Sequence, residues 1–201
     1  MANTPAINDR DTPHAAPPCR FCGQALTTTF VDLGMSPLCQ THITVEQLGR
    51  MEPFYPLHAR VCGHCFLVQL EEFVAPDEIF TEYAYFSSYS DSWVEHARRY
   101  CEMMRERFGL APQSRVVEIA SNDGYLLQHF LAMGIQVLGV EPAANVAEAA
   151  RARGIPSHVE FFGRESARRL RAEHGPANAL LGNTVLAHVP DLNDLVAGMK
   201  I

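Results

Sequence analysis

The clearest apolar pattern lies in the second half of the chain, where short apolar runs alternate with stretches of helical spacing. Residues 115–120 read as an apolar strand and 125–133 as a helix. Residues 136–140 read as a second strand, and 144–153 as a helix closed by Gly154. A short strand near 157–159, a helix over 164–173, a fourth strand over 177–181 and the start of a helix over 191–199 follow. Strand–helix alternation with short loops predicts a parallel, doubly wound α/β sheet, whose ligands bind at the carboxyl ends of the strands. Upstream, Trp93, Ala97, Tyr100, Met104 and Phe108 recur at roughly helical spacing. Asp91 or Ser92 is the expected cap, and Gly109 with Pro112 ends this helix. Residues 77–92 keep neither period. They are rich in rings and hydroxyls (Phe80, Tyr83, Tyr85, Phe86, Ser87, Ser88, Tyr89, Ser90), which suits either an ordered loop over a pocket or packing by aromatics. Residues 66–70 read as a strand.

Two Cys-x-x-Cys pairs precede this pattern, Cys19/Cys22 and Cys62/Cys65. Each turn sets two thiolates on one side of a tight loop, and two turns together make a tetrahedral four-sulfur zinc site. The gap from Gly23 to Val61 is 39 residues, so a small sub-domain must fold inside it. Gly23 and Gly63 suit the knuckle turns. Four thiolates leave no open position, which makes the zinc structural rather than catalytic. Disulfides are the alternative, as are His42, His58 or His64 as substitute ligands. Cys39, in a turn-rich stretch, and Cys101, on a helix, read as buried thiols.

Composition narrows the function classes. A net charge of −7 argues against a nucleic-acid backbone as partner. No apolar run reaches the ~18 residues needed to span a membrane, and residues 1–18 lack the apolar core of a secretory signal. A cytoplasmic location follows as the expectation, with reduced thiols. Residues 1–17 read as a disordered tail, 18–76 as the zinc-binding domain, 77–112 as an aromatic linker and helix, and 113–201 as the cofactor domain.

The carboxyl ends of the four strands carry the candidate chemistry. After the first come Ala120, Ser121, Asn122, Asp123 and Gly124. Gly124 lets the backbone approach a ligand, and Asn122 and Asp123 offer side-chain hydrogen bonds. After the second comes Glu141, placed to accept from both hydroxyls of a ribose. After the third come Phe161 and Phe162, placed to flank an adenine, and after the fourth Asn183 and His188. A dinucleotide needs G-x-G-x-x-G to cradle its pyrophosphate. This loop has one glycine and an acidic Asp123, which suits a cationic sulfonium ligand, S-adenosylmethionine, better than NAD.

Taken in order, these motifs resemble the S-adenosylmethionine-dependent sugar C-methyltransferase family. The resemblance rests on Cys19/Cys22, Leu33-Gly34 with Pro37-Leu38, Cys62/Cys65 followed by Val68-Gln69-Leu70, and Tyr83-Ala84-Tyr85 with Ser87-Ser88. It continues through 118–124, Gly139-Val140-Glu141-Pro142, Phe161-Phe162 and 183–188. It implies a zinc-binding domain followed by the first four strands of a seven-stranded class I methyltransferase sheet, Rossmann-like in plan. It implies that Glu118, Ala120, Asn122, Gly124, Glu141, Phe161 and Asn183 line the cofactor site. Tyr83 and Tyr85 would face a nucleotide-linked keto-sugar, and together with His188 at the mouth of the fourth strand they are the catalytic candidates. Ala120 departs from the glycine usual there. The family's general base is a histidine downstream of the fifth strand, so the chain is expected to be the N-terminal portion of a longer enzyme and inactive alone. Methylation of another small molecule and a non-catalytic zinc-binding fragment are the alternatives.

Overall fold

The computed structural model describes residues 16–201. The expected disordered tail therefore lies outside the described residues, except for its last two positions. Pro17 is already part of the fold, because its carbonyl accepts from the Leu26 N–H at 2.9 Å.

Two compact units are present. The first comprises residues up to Gly34 together with Leu57–Glu71; the second comprises Met35–Pro56 and Glu72–Ile201. These units do not follow the boundaries read from the sequence, since 35–56 group with the α/β part. A three-stranded sheet runs in the order β1 (Thr28–Pro37), β2 (Phe54–Val61), β3 (Val68–Gln69). Periodicity had missed β1 and β2. β1 is exposed along most of its length, so no burial pattern marks it, and Gly34 and Pro37 disguised it as turns. β3 is only two residues long. The expected start of that strand fails because Phe66 takes a left-handed φ of 63° and cannot continue an extended ladder.

The second unit is built on the sheet order β6–β5–β4–β7, all parallel. The strands are β4 (Arg115–Ile119), β5 (Gln136–Val140), β6 (Ser157–His158) and β7 (Ala179–Leu181). In chain order of these four strands this is 3-2-1-4, the doubly wound plan that the alternation predicted. Two helices precede β4: the short α1 (Pro76–Phe80), which sequence analysis left as loop, and α2 (Asp91–Phe108). Pro76 starts α1, where the missing N–H costs nothing. Ser90, not Asp91 or Ser92, caps α2 by accepting from Trp93 N, and Gly109 closes it at φ 60°. Helices α3 (Leu127–Ala132), α4 (Ala144–Ala152), α5 (Arg164–His174) and α6 (Leu192–Met199) follow.

The core has two faces set by the strand period. Val116 packs with Ala97 and Cys101 of α2, Leu127 and Phe130 of α3 and Ala150 of α4. On the other face Val117, Leu138 and Val140 meet Leu170 of α5, and Ile119 meets Val185 and Leu195. Helix α2 thus contributes to this core. Phe130 is fully buried, and truncation to Ala would cost ~3–5 kcal/mol. Gly139 is obligatory in β5, because a Cβ there would stand 2.4 Å from Ser121 Oγ and 2.9 Å from Ser157 Oγ. The register pairs Ile119 with Val140 and Val140 with His158, which levels the carboxyl ends of three strands and collects their loops at one edge.

Candidate functional site

The four predicted cysteines meet. Their sulfurs lie within 4.8 Å of one another, with Cys19–Cys65 and Cys22–Cys62 at 3.6 Å. A disulfide needs about 2.05 Å. Four sulfurs about 2.3 Å from one tetrahedral zinc stand about 3.8 Å apart, so the cluster fits a shared ion and not two disulfides. His42, His58 and His64 are not part of it; His58 Nε2 pairs instead with Thr29 Oγ1 at 2.8 Å.

Each pair sits in a knuckle closed by two backbone bonds. Gly23 N donates to Cys19 O and Phe66 N to Cys62 O, while Cys19 N donates to Gln24 O and Cys62 N to Leu67 O. The residue after each second cysteine takes a left-handed φ, Gly23 at 75° and Phe66 at 63°. Gly63, expected to supply that freedom, has no positive φ; the exposed Phe66 bears the strain instead.

Donors to sulfur complete the site. His64 N approaches Cys62 Sγ at 3.4 Å, and Gln69 Nε2 donates to Cys19 Sγ at 3.2 Å. Burial alone would raise the Cys19 thiol, but bonds from the Cys22 backbone, the Gln69 amide and the Phe21 backbone outweigh it and hold it at about 6. Gln69 is buried, and its carbonyl accepts from Arg20 N at 2.9 Å. Sequence reasoning assigned it no role. The available signal was an amide placed among apolar neighbours in Val68-Gln69-Leu70.

At the sheet edge the structure brings together Glu118, Asn122, Glu141 and Asn183. Glu118 is 1% exposed. Burial pushes its carboxyl well up, the Asn183 side-chain hydrogen bond opposes this, and the charge of Glu141 adds to it. Its Oε2 is buried without a hydrogen-bond partner among the described residues, a vacancy suited to a donor from a ligand. Glu141 is also raised, again by burial first, against bonds from the backbone of Ala143 and Asn122. Those two bonds, each 2.9 Å, occupy one lone pair on each carboxylate oxygen and fix its plane. Each oxygen retains a second lone pair.

Three loop residues hold positions other than those expected. The Asn122 side chain is spent on the aromatic segment, accepting from Ser87 N at 2.8 Å and donating to Tyr85 O at 3.1 Å. Asp123 is fully buried, with Oδ2 engaged by Arg153 and Ser88 and Oδ1 without a hydrogen-bond partner among the described residues. Gly124, at φ 77°, is needed for packing: a Cβ there would meet Ile155 Cδ1 at 2.2 Å. Ala120 is a non-glycine at φ 54°.

The aromatic segment is an ordered strap within the second unit. Asn145 brackets Tyr83, accepting from its N–H at 3.1 Å and donating to its carbonyl at 2.9 Å. Arg153 joins Ser88 Oγ, Asp123 O and Asp123 Oδ2 at 2.7–3.0 Å. The result is a ring cluster in which Tyr83 lies 6.4 Å from Tyr85 and 5.7 Å from Phe80, with His188 6.3 Å from Phe80. All three residues singled out as catalytic candidates thus belong to one chain of ring contacts. Burial raises the Tyr83 hydroxyl, with the charges of Cys39 and Glu141 adding to it. Cys39 itself is exposed rather than buried, whereas Cys101 is buried as expected. Phe161 and Phe162 both line a shallow pocket with Glu160, Ser166, Arg169 and Asp194, and Phe162 also packs against the core.

The comparisons with known proteins agree with both parts. A protein family described as "Putative zinc binding domain" matches residues 19–80. Over 182 residues the chain is 33% identical to C-methyltransferase NovU from Streptomyces niveus, a match covering 90% of the chain and 43% of the relative. The chain therefore spans less than half the length of this curated homologue. Solved structures resembling it include an S-adenosylmethionine-dependent methyltransferase from Anabaena variabilis, with a TM-score of 0.44 and 19% identity over 54% of this chain and 48% of that one. Another is an S-adenosylmethionine-bound amino pentose methyltransferase from Micromonospora echinaspora, with a TM-score of 0.31 and 24% identity over 40% of this chain and 37% of that one.

Proposed function

We propose that this chain is the zinc-bearing, cofactor-binding part of an S-adenosylmethionine-dependent C-methyltransferase acting on a nucleotide-linked keto-deoxysugar. One observation carries the reading. Glu141 and the orphaned carboxylate oxygen of Glu118 are held at the carboxyl edge of a 3-2-1-4 sheet, in a chain one-third identical to a C-methyltransferase along nine-tenths of its length. The residues fit the cofactor's chemistry. Glu141 has lone pairs for two ribose hydroxyls, and Glu118 with Asn183 offers a buried oxygen acceptor for an ammonium group, whose positive charge would favour the ionised carboxylate.

When bound, S-adenosylmethionine supplies an electrophilic methyl group. The residues of this chain orient the reactants. Tyr83 and Tyr85 present an aromatic wall with hydroxyl groups, and His188 continues it. A sugar ring with a keto group fits such a wall, because its apolar face stacks on rings while its oxygens meet hydroxyls. The cysteine site supports the fold and takes no part in methyl transfer, since a four-thiolate ion has no open position.

Calorimetric titration of S-adenosylmethionine tests the cofactor assignment. Glu141→Ala is expected to lose ~2–4 kcal/mol of affinity, from two hydrogen bonds to a charged acceptor. Unchanged affinity would remove Glu141 from the site. The substrate assignment is tested by incubating the full-length parent enzyme with methyl-labelled S-adenosylmethionine and a keto-deoxysugar nucleotide. Label on a sugar carbon is expected, and label on oxygen or nitrogen would overturn it.

A further inference from the structure

Next to the ligand edge, where Glu141 N donates to the His158 carbonyl at 2.9 Å, the end of β6 and the end of α5 bring two imidazoles together. His158 Nε2 and His174 Nε2 are 2.9 Å apart, with ring centroids 5.1 Å apart at 78°. Glu173 Oε2 lies 3.7 Å from His174 Nε2. One ligand atom from each of the three residues falls within a 4.8 Å span. The side chains are 30%, 35% and 46% exposed, open enough for an ion to enter.

We propose that His158, His174 and Glu173 form a second cation site, distinct from the four cysteines, for a first-row divalent ion of the Ni2+ or Cu2+ class. The spacing favours this class. Two nitrogens about 2.0–2.1 Å from a shared ion and at right angles stand about 2.9 Å apart. A tetrahedral ion would separate them to about 3.4 Å by the same arithmetic. Imidazole with carboxylate and water suits tetragonal nitrogen–oxygen coordination.

A second observation points to the same ion. Ligation through Nε2 of His158 forces the ring proton onto Nδ1. Glu160 Oε1 stands 3.8 Å from that Nδ1 and is a buried carboxylate oxygen with no hydrogen-bond partner among the described residues. The other carboxylate oxygen is held by Arg169. A carboxylate fixed by an arginine behind a ligating histidine is the outer support that metal-bound imidazoles use. The orphaned oxygen stands 3.8 Å from the nitrogen that carries the proton in the one tautomer that leaves Nε2 free for metal, so a shift of under about 1 Å on ligation would bring it within hydrogen-bond distance. The ion would tie the loop leading to Phe161 to the last turn of α5.

The test is calorimetric titration of the zinc-loaded chain with Ni2+, read together with absorption spectra. One Ni2+ per chain is expected beyond the zinc, without a sulfur-to-nickel charge-transfer band. His174→Ala and His158→Gln should each abolish this binding while far-UV circular dichroism stays unchanged. Glu160→Gln should weaken it about 10–100-fold, as loss of an outer partner does. A flat titration, uptake unchanged in both histidine variants, or a thiolate band showing capture by the cysteines would overturn the proposal. The two histidines would then form only a hydrogen-bonded pair.

Discussion

Three residues hold backbone or charge in states that cost stability. Ala120 and Phe66 sit at φ 54° and 63°, where an L side chain crowds the backbone by roughly 1 kcal/mol or more. Ala120→Gly is expected to stabilise the protein by ~0.5–1 kcal/mol, since the relief outweighs the added freedom of the unfolded chain. A rise in the midpoint of urea unfolding checks this; a fall would mean that the Ala120 methyl packs usefully. Glu118 is the costly charge. Its carboxyl is raised by burial, so above the ordinary value of about 4.3 the folded state holds more protons than the unfolded one. Stability must then fall as pH rises from that value through the raised one. Glu118→Gln keeps the shape and removes the titration. Its melting temperature is expected to gain on the parent's as pH rises above the ordinary carboxylate value, and parallel curves would contradict the sign. Glu141 titrates in the same direction, so the variant's slope shrinks without vanishing.

At the scale of elements, the strap from Tyr83 to Ser90 depends on the loop after β4 and on α4. Asn122, Asp123, Asn145 and Arg153 together anchor four of its residues, at Tyr83, Tyr85, Ser87 and Ser88. Arg153 is the exposed end of this lock and Asp123 its buried end. Arg153→Ala leaves a fully buried carboxylate without its cation, which should cost about 2 kcal/mol. Opening of the strap should accompany it, read as faster amide exchange at Ser87 and Ser88. Unchanged exchange would show that Asn122 and Asn145 suffice. This element could not be read from periodicity. Its order comes from side chains thirty-five to sixty-five residues away, and no local repeat encodes such partners.

For the whole molecule, two units draw stability from different sources. The α/β unit buries apolar residues on both faces of its sheet. The cysteine unit has a small cluster of Cys19, Leu26 and Cys62 and relies on its ion. Cys62→Ser, or removal of zinc by a chelator, is expected to unfold the first unit, with loss of about one zinc per chain by elemental analysis. The helical signal of the second unit should survive. Full zinc retention in Cys62→Ser would refute the four-sulfur site. What the sequence determined by itself is whatever local chemistry can encode. Paired cysteines at fixed spacing announced the zinc site. Alternating apolar periods announced the α/β class, and Glu141 after an apolar run announced an acidic group at the ligand edge. What only the tertiary structure decided is the direction in which polar side chains point. Asp123 turned inward to Arg153, Asn122 turned to the strap, and Gly124 proved to be required by Ile155. Each of these depends on a partner distant in sequence, because a buried polar group must take whatever hydrogen-bonding partner the packed fold brings to it.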